Sequence, residues 1–81
     1  MVNNDFLKQI GVRFRKFREG AGYSRSDAAV LIGVTPRTLA SYERGEREIS
    51  METTIKMAEV YKTTFTRLTD YKNVHIEEVV I

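Results

Sequence analysis

Thr38, Ser41 and Arg44 recur every three residues, and Arg37 stands beside the first of them. On a helix this spacing puts the three on one face, with Leu39 and Tyr42 on another. Hydroxyl and guanidinium groups suit phosphate oxygens and base edges, and an arginine can also pair bidentately with guanine. Such a set suits contact with a polyanion, and no reaction is expected of it. The chain has no Ser/His/Asp set, no glycine-rich phosphate loop and no cysteine. His75 is its one histidine, so a metal site is not expected, and neither is a catalytic role or a cofactor.

These side chains need a rigid platform, and the residues from Ser24 to Gly45 supply the pattern of one. Ser24 suits an N-cap, with Asp27 placed as a short capping-box partner, and Ala28, Ala29, Leu31 and Ile32 follow. Gly33 fits the left-handed position after a helix end. Thr35 can cap the next helix, and Pro36 suits its first position, where a missing N–H leaves nothing unpaired. Two short helices around a glycine turn are a common way to place one helix in the DNA major groove.

Outside this stretch the apolar spacing stays helical. Phe6, Ile10, Phe14 and Phe17, widened by Leu7, predict a first helix capped by Asn3 or Asn4 and ended by Gly20 and Gly22. Ser50 predicts the start of a fourth helix with Met51, Ile55, Ala58 and Tyr61 inward. Thr64 predicts a short fifth with Phe65 and Leu68 buried. Tyr23, Tyr42, Tyr61 and Tyr71 suit the edges of the core. Five helices with short connections make an all-α bundle. From Val74 onward apolar and polar residues mix with β-branched enrichment, which predicts a strand. With no other strand in the chain, its natural partner is the same segment of a second copy.

Bulk properties set the outer bounds. The chain has 81 residues, a 42% apolar share and a 30% charged share, which fits one small folded domain. No apolar run is long enough to span a membrane and no signal-peptide pattern opens the chain, so a cytoplasmic location is expected. The net charge of +2 is too small to argue for a polyanionic partner. Its distribution says more: residues 8–25 carry an excess of five positive charges, which predicts a basic face near the first helix. Residues 35–47 hold a net of only +1, so the candidate reading helix is not itself a basic patch.

Taken together, Ile10-Gly11, Arg13-Phe14-Arg15, Phe17-Arg18, Gly22-Tyr23-Ser24, Ala29, Ile32-Gly33-Val34-Thr35, Leu39, Tyr42-Glu43-Arg44-Gly45 and Arg47 resemble the phage repressor and Cro-type (XRE-like) helix-turn-helix family over about residues 6–70. The resemblance implies a five-helix fold of the lambda-repressor-like type, acting as a homodimer on palindromic operators. By position it implies that Arg25 contacts the DNA backbone or an outer base. Thr35, Pro36, Arg37, Thr38 and Ser41 open and line the base-reading helix. Arg44 and Arg47 approach phosphates, and Arg18 and Glu43 form a structural ion pair. Four positions depart from the family pattern. Arg25 replaces a usual glutamine, Ala28 a leucine, Pro36 a polar residue and Ile49 a proline.

The expectation is a transcriptional regulator, a repressor of phage or mobile-element type, with residues 1–71 as the DNA-binding domain and 72–81 as a dimerisation tail. No small-molecule ligand and no membrane partner are expected. The alternatives are an antitoxin or restriction controller, or a protein-interaction module on the same fold.

Overall fold

The computed structural model describes residues 4–70. These form five helices: α1 (Asn4–Gly20), α2 (Arg25–Ile32), α3 (Pro36–Glu43), α4 (Met51–Val60) and α5 (Phe65–Thr69). No strand occurs among the described residues, and the expected strand at the end of the chain lies outside them, as do Tyr71 and His75.

Each short helix starts where a hydroxyl residue caps it. Ser24, Thr35, Ser50 and Thr64 all have extended backbone, and each accepts a hydrogen bond from the amide three residues on. Each cap satisfies one amide that would otherwise be orphaned, worth about 1 kcal/mol. Pro36 occupies the first turn of α3 as expected. Gly33 closes α2 in the left-handed region at φ 92°, donating its N–H to the Ala29 carbonyl, so α3 can turn away within three residues.

The helices enclose one core. Phe14, Leu39, Met57 and Leu68, from α1, α3, α4 and α5, are its largest fully buried side chains. From α2 come Ala28 and Ala29, both 0% exposed. The alanine at position 28 is therefore a fully buried core residue. α1 packs on α3 and α5, α2 on α3 and α4, and α4 on α5.

Two close approaches were not read from the sequence. A Cβ on Gly11 would stand 2.7 Å from the Tyr42 carbonyl oxygen. One on Gly45 would stand 2.6 Å from Lys8 Cα. Both glycines let α1 lie directly on the end of α3.

The expected inward face of α4 and α5 needs correction. Met51, Ile55 and Phe65 are 69%, 44% and 39% exposed, and Leu31 of α2 is 47% exposed. On α4 the buried residues are Thr54, Met57 and Ala58, followed by Tyr61. A polar residue can face inward here because Thr54 Oγ1 donates to the Ser50 carbonyl at 2.8 Å. Unbranched Met57 then reaches the centre, and Ile55 is left on the flank. Met51 and Phe65 border a shallow apolar groove with Leu7 and Ile49. Tyr42 and Tyr61 are buried and Tyr23 is half-buried, its ring 6.3 Å from that of Tyr61, so these three are core edges as expected.

Candidate nucleic-acid interface

α3 is held from beneath and bare in front. Leu39, Ala40, Tyr42 and Glu43 are buried, while Thr35, Pro36 and Arg37 at its start are exposed. Thr35 Oγ1 accepts from the Thr38 amide and donates to Thr38 Oγ1, both at 3.0 Å. Ser41 Oγ donates to the Arg37 carbonyl at 3.2 Å. The hydroxyl protons of Thr35 and Ser41 are thus used within the helix, and what these side chains offer outward is oxygen lone pairs and methyl or methylene surface. Arg37 is exposed and has no ion pair among the described residues. It is the one strong donor at the front of α3.

The helix is fixed from its far end. Arg18 donates from Nε to Glu43 Oε2 at 2.6 Å and from Nη2 to Oε1 at 3.1 Å. Its Nη1 donates to the Tyr23 carbonyl at 2.9 Å. Both side chains are buried. The hydrogen bond to Glu43 holds the Arg18 guanidinium in its charged form and raises its pKa, against the desolvation that lowers it. Arg18 and Glu43 thus meet as the family resemblance implies, joining α1 to α3.

The remaining arginines divide. Arg25, at the first position of α2, also reaches Glu43, with Nε and Nη2 each 3.4 Å from Oε1. Arg44 pairs with Glu46 at 3.1 Å on the surface. Arg47 is exposed and lines the apolar groove beside Glu48 and Ile49.

The early run of positive charge is not one basic face. Arg13 donates from Nε at 3.2 Å, and from Nη2, to the Arg67 carbonyl, tying α1 to α5. Its guanidinium also sits 5.5 Å from the Phe17 ring centre. Arg15 pairs with Glu19 one turn on, and Arg18 is buried. Arg13, Arg18 and Arg25, half of the six cations in the run, therefore tie one helix to another, while the Arg15–Glu19 pair stays within α1. The tie between Arg25 and Glu43 was missed in sequence, although the arginine in place of a glutamine was its visible trace.

No group of acidic, histidine or cysteine side chains suited to a metal occurs among the described residues, and none of their helices is long and apolar enough to cross a membrane.

The helix-turn-helix family model matches residues 14–68. A protein of Pyrococcus furiosus, named for an HTH-type transcriptional regulatory role, is 30% identical over 76 residues, covering 94% of this chain and 24% of its own length. The HTH-type transcriptional regulator ImmR of Bacillus subtilis is 31% identical over 62 residues, covering 76% of this chain and 46% of its own. The chain therefore spans about a quarter of the length of the first of these relatives and about half of the second. Among solved structures, the restriction-modification controller C.AhdI of Aeromonas hydrophila superposes with a TM-score of 0.77 at 28% identity, covering 80% of this chain and 94% of that one. The clp gene regulator ClgR of C. glutamicum shares the fold, with a TM-score of 0.78 at 23% identity over 82% of this chain and 85% of that one.

Proposed function

The chain belongs to the helix-turn-helix family, and from that premise we propose that it is a sequence-specific transcriptional regulator, a repressor that binds operator half-sites in the cytoplasm as a homodimer. The observation that carries this reading is the exposed first turn of α3, with Arg37 forward and the rest of the helix clamped by Leu39, Tyr42 and the Arg18–Glu43 pair.

In this reading Arg37 pairs with a base edge. Pro36 offers only an apolar contact, suited to a thymine methyl. Thr35, Thr38 and Ser41 contribute acceptors and surface, and Arg25, Arg44 and Arg47 flank them. Residues 1–71 form the DNA-binding domain, and residues 72–81 join two copies over a palindromic site. The near-neutral α3 supports this arrangement, because a single copy has little long-range attraction for phosphate and two copies reading one site add their contacts.

A second reading, a restriction-modification controller, is favoured by one observation. The controller C.AhdI shares the fold, with a TM-score of 0.77 at 28% identity. Both readings require DNA binding.

Selection from random double-stranded DNA, followed by a salt-dependent gel shift on the enriched site, tests the shared claim. An enriched two-fold-symmetric site whose binding weakens steeply with salt is expected. No enrichment at any salt would leave a protein-interaction module as the surviving reading.

A further inference from the structure

Glu43 holds more than the contact between α1 and α3. Its Oε1 accepts from Arg18 Nη2 at 3.1 Å and from Arg25 Nε and Nη2, both at 3.4 Å. The two arginines are in different states. The Arg18 side chain is 8% exposed and is bonded through Nε, Nη1 and Nη2. The Arg25 side chain is 42% exposed and faces the carboxylate with one edge of its guanidinium, the edge that carries Nε and Nη2. Its other edge, with both Nη1 protons and the second Nη2 proton, makes no hydrogen bond among the described residues.

We infer that Glu43 is the positioning residue for Arg25, holding one edge of its guanidinium so that the other is presented as an oriented fork to a guanine. One physical argument favours a base over a phosphate. Arg18 already neutralises Glu43, so Arg25 keeps its charge and charge alone does not choose between the two. A phosphate accepts a guanidinium over a range of approach directions, whereas a guanine edge accepts the fork in one plane, and a carboxylate bonded along one side supplies that orientation before the partner arrives. Arg25 then adds specificity at a base pair other than those read from the front of α3. The inference rests on the DNA-binding reading above.

The test uses the full chain in two measurements. In the DNA selection, Arg25→Lys keeps the charge and removes the fork. It is expected to lose about tenfold of preference at one base pair, the scale of a bidentate arginine–guanine pair, while the salt dependence stays as before. Glu43→Gln is expected to lose preference at that same base pair and keep the positions read by Arg37. The second measurement needs neither DNA nor a stable Glu43 variant. The Arg25 Nε–H signal of the unmodified free protein should be more ordered by NMR relaxation than that of exposed Arg47. An Arg25→Lys chain that keeps its base preference overturns the inference, as does an Arg25 Nε as mobile as that of Arg47. An unmodified chain that selects no DNA removes the functional reading and this inference with it, whereas a selected site indifferent to Arg25→Lys removes this inference alone.

Discussion

Arg37 lies in the first turn of α3 and Arg44, two turns on, is its C-cap, and their surroundings separate their roles. Arg44 shares its charge with Glu46, both half-exposed, and such a surface pair is worth at most about 1 kcal/mol. Arg37 has no such partner among the described residues. Arg37→Ala should therefore relax selectivity at one base position by about 1–3 kcal/mol, read as altered base frequencies in bound DNA. Unchanged frequencies would remove Arg37 from the readers.

Tyr61 makes a different residue-scale case. Its hydroxyl is buried with no hydrogen-bond partner among the described residues. Burial pushes its pKa well up, Glu43 adds to the shift and Arg18 opposes it. The phenol in the unfolded chain ionises near pH 10 while the folded one stays protonated. Stability from this group is thus complete below about pH 10 and falls as pH rises above it. Tyr61→Phe should flatten that alkaline decline in urea titrations and leave stability at pH 7 unchanged or higher, because an unpaired buried hydroxyl is removed.

At the scale of elements, the contact between α1 and α3 is set by backbone. Gly11→Ala would push a methyl against the Tyr42 and Glu43 carbonyls, neither of which can move without moving α3. A loss of several kcal/mol is expected, on the scale of about 1–3 kcal/mol for overpacking and more when rigid backbone is in the way. A thermal melt within a degree of the unmodified chain would show that α1 can shift.

Helix starts were legible because the four hydroxyl caps act locally, and the turn at Gly33 for the same reason. The phase of α4 was not. Apolar type favoured Ile55 over Thr54, and only the bond from Thr54 to the Ser50 carbonyl allows the polar residue inside. The Arg18–Glu43 pair followed from family position, whereas the third partner, Arg25, needed the three helix ends in space. Gly11 stood in the motif without a reason until α3 lay against it.

Across the whole molecule, each helix gives the core a residue and none could bury its apolar face alone. Phe14→Ala should cost about 3–5 kcal/mol, a large share of what a domain of this size holds in reserve. Assembly is tested separately. Deleting Val74–Ile81 should lower the sedimentation mass from dimer to monomer if that segment joins two chains. An unchanged mass would place dimerisation elsewhere or show that a single chain is the working form.

One carboxylate at the meeting of three helix ends also bears on how the domain opens. If the last turn of α3 peeled away alone, it would strand the buried guanidinium of Arg18 without its counter-charge, at a cost of about 3–5 kcal/mol. Fraying there is thereby coupled to loss of the whole fold. The amides at the end of α3 should exchange with deuterium only as fast as the slowest core amides, and those of α5 well before them.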